Sequence, residues 1–331
     1  MPVYLIILDD KMTYMQNTAY YLYFVMIGLV VLQFFMLLVR NVGFLPVWTL
    51  IEYMQLIAFM PIYNFKLIPY LYDTFKPFLV SHLILFNDSI FYPELNEEFF
   101  NTNYLYYNLP IGKLIQSLFN IMILLVLVVL TNIFVGVLAL CCGWTQTRFG
   151  NFISSRLSQF RFNAYLRFFM LTYFDFTFFS VMKIQDKNNS SSIRKVALFF
   201  SYIFFVVSIV APVFFVALIL KRFELFKNKE AKKNYNSLVL KIDKNNKWRV
   251  IHVAFFFGRR LITAILLTLP ITSQFIFLQY VFILVTSHAY ILYMVATKPF
   301  QTPVMNSYIL ANETFYSALI ILIFIFSDAT P

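Results

Sequence analysis

Long apolar runs alternate with loops whose charges are segregated by sign, and this pattern decides what the chain can fold into. Ten of its 26 Lys and Arg residues fall between Lys221 and Arg249. The acids Asp88, Glu94, Glu97 and Glu98 share another inter-run segment that holds no Lys or Arg. Positive loops stay on the cytoplasmic side of a membrane, so the net charge of +11 signals orientation and predicts no nucleic-acid partner.

Composition agrees. Hydrophobic residues make up 61% of the 331 and charged residues 12%, whereas soluble domains are about half apolar and about a quarter charged. A spanning helix needs roughly 20 apolar residues. The chain is therefore expected to be all-α: a polytopic membrane protein of about eight transmembrane helices plus interfacial amphipathic helices, with the bilayer as its first partner.

The predicted spans are 19–39, 44–63, 111–142, 165–182, 196–220, 250–269, 275–297 and 308–326. The count falls to seven if 44–63, which carries Glu52, Pro46 and Pro61, re-enters instead of crossing. Residues 64–86 hold Pro69, Pro77, Lys66, Asp73 and Lys76 and read as broken interfacial helices. Arg148, Arg156, Arg161 and Arg167, interleaved with Phe149, Phe152, Leu157, Phe160 and Phe162, read as a basic amphipathic helix on the inner leaflet. Two regions follow. Residues 1–110 form an N-terminal membrane segment with interfacial helices and an acidic outer loop. Residues 111–331 form a multi-pass module whose basic inner loop is 221–249.

With the N-terminus outside, inner segments hold 16 of the 26 basic residues and only three acids, Glu224, Glu230 and Asp243. The sequons at Asn87, Asn188 and Asn189 then fall outside as glycosylation candidates, while that at Asn312 lies within the last span. Cys141 and Cys142 are adjacent, which argues against a disulfide framework. They sit at the inner end of a span, where S-palmitoylation occurs, and two buried small residues are the alternative. The basic loop is matched to anionic inner-leaflet lipids, or reflects ordinary positive-inside bias. A cleavable signal peptide is not expected.

At this point the residues carry a likeness. The stretch from Phe160 to Phe168, then Trp248 to Phe257, Arg259-Arg260-Leu261-Ile262, Pro270 and Gln274, and finally Lys298-Pro299-Phe300, Asn306 and Asn312-Glu313 follow a familiar order. From about Leu45 onward the chain resembles the TRP-like multi-pass module that closes large ciliate surface proteins bearing cysteine-rich extracellular repeats. The resemblance implies a channel- or transport-related role. The present residues contain no cysteine-rich segment, and where the family shows an acid-containing stretch this chain has Tyr173-Phe174-Asp175-Phe176.

Arg259, Arg260, Glu52, Asp175 and Glu313 are predicted to fall inside the membrane, where a charge costs at least about 2.5–3.5 kcal/mol unless paired or hydrated. Two readings of the arginines stay open. Either they line an aqueous path or pair with Asp175 or Glu313, or the span begins at Gly258 and both lie at the inner interface. Glu313, beside Asn312, is an ion-coordinating or a helix-tying carboxylate, and Asp175 is read the same way. His82, His252 and His288 stand apart from any ligand at metal-like spacing, although Ser287-His288 suits a polar helix contact. Neither a catalytic motif nor a cofactor motif is present, so the chain is expected to be non-enzymatic and without a cofactor. If it conducts, the path should run beside the last three spans, which hold Arg259, Arg260, Gln274, Gln279, Ser287, His288, Asn312 and Glu313.

A non-catalytic accessory subunit of a larger complex is the alternative function, and other chains or further copies of this one are the expected protein partners. A plasma or endomembrane location is expected, with the mitochondrial inner membrane as the alternative. The orientation has a direct check in a protein with Cys141 and Cys142 replaced by Ser. Cysteines placed in 221–249 should react with an impermeant maleimide only from the cytoplasmic side, and cysteines at 87 and 189 only from the other. Labelling of both segments from one side would sink the assignment.

Overall fold

The computed structural model describes residues 45–62, 75, 111–143, 148–186, 192–221, 223, 242–243, 245–268 and 276–325. The predicted span 19–39, the sequons at Asn87, Asn188 and Asn189, and Gln274 lie outside them. The described regular elements are α1 (Leu45–Ala58, followed by a 3-10 turn at Met60–Ile62), α2 (Ile111–Gly143), α3 (Arg148–Gln185), α4 (Ser192–Lys221), a single turn at Lys247–Val250, α5 (His252–Thr268), α6 (Ile276–Thr297) and α7 (Pro303–Ile325). Ile242 and Phe300 form an isolated antiparallel bridge, and no strand occurs among the described residues.

The described residues are thus all-helical apart from the isolated bridge. Four stretches are long and apolar enough to cross a membrane, Arg194–Lys221, Lys247–Thr268, Phe277–Thr297 and Pro303–Ile325, consistent with an integral membrane protein. The described residues supply four such helices and not about eight. Part of the shortfall is physical: α1 has 14 residues, about 21 Å, against a hydrocarbon thickness of about 30 Å. From Ile51 to Ile62 all residues but Glu52 are buried.

Two boundaries differ from expectation. The basic amphipathic segment and the predicted fourth span are one uninterrupted 38-residue helix, α3, about 57 Å long. No Pro or Gly between Asn151 and Gln185 offers a stop. The predicted break at Gly258-Arg259-Arg260 is also absent, since α5 runs through it. Gly258 therefore starts no new helix.

The halves of α4 show how lipid selects residues. Ala197, Ser201, Ser208, Ala211, Phe215 and Ile219 form one buried stripe, while Phe199, Val206, Val210, Val213 and Phe214 are exposed. Four of these six stripe residues are Ala or Ser while large apolar residues face outward, an arrangement that lets helices pack closely where tails are as apolar as Leu. Its partner α3 is buried on every side from Thr172 to Lys183. It packs against α2, α4 and α5. Phe257 of α5 sits edge-on to Tyr173 at 4.7 Å and stacks on Phe215 at 5.0 Å, joining three helices. Phe59, just after α1, stacks on Phe178 at 4.3 Å.

Pro212 lies inside α4. Having no N–H, it cannot donate to the carbonyl of Ser208 one turn earlier. The Tyr173 hydroxyl donates to that carbonyl instead, at 2.6 Å. An unpaired buried carbonyl costs about 1–3 kcal/mol. Tyr173→Phe should therefore destabilise the protein by about that much in nanodisc thermal unfolding. In a Pro212→Ala background, where the amide returns, the same change should cost clearly less. Equal losses in both backgrounds would show that the hydroxyl does not serve the proline.

Candidate functional site

Arg259 and Arg260 are neighbours on α5, so their side chains leave the helix about 100° apart and reach different partners. Arg259 forms an ion pair with Glu313 of α7 at 2.5 Å. Glu313 is fully buried. Its carboxylate also accepts from the Tyr53 hydroxyl of α1 at 2.6 Å and from the Ser287 hydroxyl of α6. Ser287 lies 2.7 Å from Ser317 of α7. One acid thus collects donors from three other helices. The rings of Tyr53, Tyr290 and Tyr316 stand 5.5, 5.2 and 4.9 Å from the Arg259 guanidinium carbon, so the cation is enclosed by aromatic faces as well as paired.

Arg260 turns toward α3 and α1. It donates to the Gln55 side-chain oxygen at 3.3 Å and more weakly to the Met170 carbonyl at 3.5 Å, and it lies 4.3 Å from the Phe256 ring. Gln55 in turn donates to the Leu171 carbonyl at 3.0 Å, so it bridges α3 and α5. Two carboxylates, Glu52 and Asp175, attract Arg260 electrostatically. Asp175 is fully buried.

Beside this cluster is a cavity of about 70 Å³. A water molecule's share of liquid volume is about 30 Å³. Its polar lining is Thr49, Glu52, Tyr53, Arg259, Arg260 and Tyr290, with His252, Ile242 and Phe300 toward the loop end. Buried nitrogens without a hydrogen bond within the protein include Nη2 of both arginines and Nδ1 of His252. The His252 ring lies edge-on to Phe300 at 4.9 Å and parallel to Tyr293 at 6.3 Å.

The loop end is closed by the residues that carried the family likeness. Asn306 accepts from the Phe300 amide at 3.0 Å and donates to the Phe300 carbonyl at 2.9 Å. The Asp243 amide donates to the Pro299 carbonyl at 2.8 Å. Arg249 pairs with Asp243 and donates to the Thr297 carbonyl at 3.0 Å. The end of the basic loop is therefore pinned to the turn between α6 and α7.

Of the residues singled out from sequence, Asp175, Arg259, Arg260 and Glu313 come together. Asn312 is adjacent to Glu313, and its buried Nδ2 makes no hydrogen bond. His288 stays apart: it is exposed, and its Nδ1 lies 2.8 Å from the Leu284 carbonyl of its own helix. Cys141 and Cys142 occupy the last turn of α2. The embedded polar groups are not confined to the last three spans, because α1 supplies Glu52, Tyr53 and Gln55 and α3 supplies Asp175. Tyr53 and Gln55, with Tyr290, Tyr316, Ser317 and His252, were not assigned a role from sequence, whereas Glu52 was expected inside the membrane. A weak signal existed, since Glu52 and Gln55 are three apart in a largely apolar run, as are Ser287 and Tyr290 in another. Among the described residues no group of three or more metal-ligating side chains occurs. No family model, curated protein or solved structure matches the chain.

Removing one partner from a buried ion pair costs about 3–5 kcal/mol, while replacing both by apolar residues is often neutral. Glu313→Leu alone should therefore lower the unfolding temperature sharply. Adding Arg259→Met should recover most of the loss, and a double variant no more stable than the single one would contradict a pairwise tie.

Proposed function

We propose that this chain is a non-enzymatic, TRP-like integral membrane protein of the channel- or transport-related kind, with the charged cavity between α1, α5 and α6 as the place where its solute or ion meets the protein. One observation carries the reading. A cavity of about 70 Å³ borders two arginines and a glutamate inside a helical bundle whose outer faces are apolar. Ionisable residues in such a position are costly and serve as pathway or relay groups by default. The full complement of about eight spans belongs to this proposal, as does the assembly of further copies or other chains around the bundle. The basic loop would hold anionic lipid at about 1 kcal/mol per residue near the surface. A plasma or endomembrane setting suits this role, and the mitochondrial inner membrane is the alternative.

One feature favours a second reading, an accessory subunit of a larger complex. Glu313 already holds partners from three other helices, as a purely structural tie would. Flux separates the two. Purified protein in liposomes loaded with a pH-sensitive or ion-sensitive dye should pass ions across the membrane. Glu313→Gln should change the rate or the ion preference at unchanged insertion. Wild-type liposomes no leakier than empty ones, combined with loss of co-purifying chains in Glu313→Gln, would replace the channel reading with the subunit reading.

A further inference from the structure

The cavity beside the ion pair has opposite charges on its wall that do not meet. Glu52 of α1 and Arg260 of α5 both line it, and the carboxylate attracts the guanidinium. Yet Arg260 directs its Nη1 to Gln55 and to the Met170 carbonyl, and Glu52 and Arg260 form no ion pair. Nη2 of Arg259, Nη2 of Arg260 and Nδ1 of His252 are buried and make no hydrogen bond within the protein, and all three residues line the same space. Arg260 is only 2% exposed and His252 only 7%, so bulk water does not serve them. Buried polar groups are almost always hydrogen-bonded, and unmet ones around a cavity point to an occupant.

Charge and size define that occupant. A simple anion held by the two Nη2 groups would face the Glu52 carboxylate. A simple cation held by Glu52 would face two guanidinium groups. Either leaves like charges opposed where water is largely excluded. Water itself can hydrogen-bond to these groups but brings no counter-charge to either. A zwitterion meets both demands. Its oxyanion accepts charge-assisted hydrogen bonds from the guanidinium groups, and its ammonium donates to Glu52. One water needs about 10–15 Å³ of cavity, so about 70 Å³ has room for a molecule of roughly five non-hydrogen atoms, the size of glycine. Leu56, Val253, Phe256 and Ile309 supply apolar wall, as in ligand pockets where a few polar groups fix orientation. Glu313 does not compete, because it is not a lining residue and already holds Arg259, Tyr53 and Ser287.

We infer that the cavity binds a small zwitterion of about glycine's size, with its carboxylate on Nη2 of Arg259 and Arg260 and its ammonium on Glu52. The inference rests on the cavity of the transport reading and names the class of solute it takes. Its readout is equilibrium binding and not flux, so either can fail alone. Binding without flux leaves a ligand site in an accessory subunit, and flux without binding overturns only the ligand assignment.

Equilibrium binding of radiolabelled glycine to the full chain in nanodiscs at neutral pH tests it. The wild type should bind glycine saturably. Acetate and ethylammonium, each carrying one of the two charges, should compete at least about tenfold more weakly, since each leaves a buried charge unmatched. Leucine, too large for the cavity, should not compete. Glu52→Gln should weaken glycine about tenfold or more, while acetate binds no worse because the like charge facing it is gone. Arg260→Gln should reverse the pattern, losing glycine and keeping ethylammonium. The ligand retained by each variant shows that its fold survives, and the wild-type competition pattern decides even where a variant does not fold. Absence of saturable glycine binding to the wild type overturns the inference, as does an unaltered glycine affinity in Glu52→Gln. Acetate binding as tightly as glycine overturns it too, by making the cavity a plain anion site.

Discussion

The buried pair between Arg259 and Glu313 is the constraint around which the rest of the described bundle is arranged. An isolated charge at that depth is unfavourable by several kcal/mol, and two together are tolerable only when geometry and hydrogen bonds satisfy both. Satisfying Glu313 requires Tyr53, Ser287 and Arg259 at once, and that fixes the rotation of α1, α5, α6 and α7 about their axes. Enclosing Arg259 requires Tyr53, Tyr290 and Tyr316, which come from three of the same helices. Arg260, one residue on, then has to face α3. Its contact with Gln55 ties α1 to α5 a second time. An apolar bundle in lipid has weak preferences for register, since most contacts are alike. Two adjacent arginines with different partners supply the register that the Leu, Ile and Phe surfaces cannot.

The same rule governs the backbone. Inside a membrane each amide and carbonyl needs a partner within the protein. Pro212 removes the donor for Ser208, and Tyr173 replaces it from the neighbouring helix. The carbonyl of Leu266 faces the same problem near the end of α5, because the residue four on is Pro270. The Gln279 side chain of α6 donates to it. Where the chain reverses between α6 and α7, Lys298 adopts a left-handed conformation with φ 44, and the Asn306 amide holds both main-chain groups of Phe300. Short motifs that looked like scattered family marks, Pro270, Lys298-Pro299-Phe300, Asn306 and Asn312-Glu313, sit at these obligations or beside the ion pair.

Much of this was legible in the sequence where a residue's type alone creates a demand. Charges in apolar runs must find partners, so Asp175, Arg259, Arg260 and Glu313 could be named without coordinates. Helices were readable from long apolar runs. What was not legible is pairing that depends on where distant segments meet. Tyr53 and Gln55 look like ordinary residues of an apolar helix until α1 is placed against α5 and α7. The break expected at Gly258-Arg259-Arg260 failed because side-chain charge does not interrupt main-chain hydrogen bonds. Nor does Gly258 serve a close approach, since a Cβ there would meet nothing within 4 Å. The separate amphipathic and spanning segments expected at 148–182 merged because polarity changes along α3 while helix-forming capacity does not.

Among the described residues, depth along the bundle separates a half with buried charges from one without. Ile242, His252 and Phe300 mark the end near the basic loop, and Arg259 lies seven residues further along α5, about 10 Å deeper. Between them runs the cavity. Beyond the arginines α5 buries Thr263, Ala264, Leu267 and Thr268. Ile283, Ile320 and Ile323 are buried in α6 and α7, and Tyr280 stacks on Phe324 at 4.2 Å. Any separation of α6 from α7 would have to break the Tyr280–Phe324 stack. Any such movement strains the Glu313 network, because Ser287 and Glu313 sit on those two helices. The polar tie and the aromatic stack therefore hold the same two helices together at two depths.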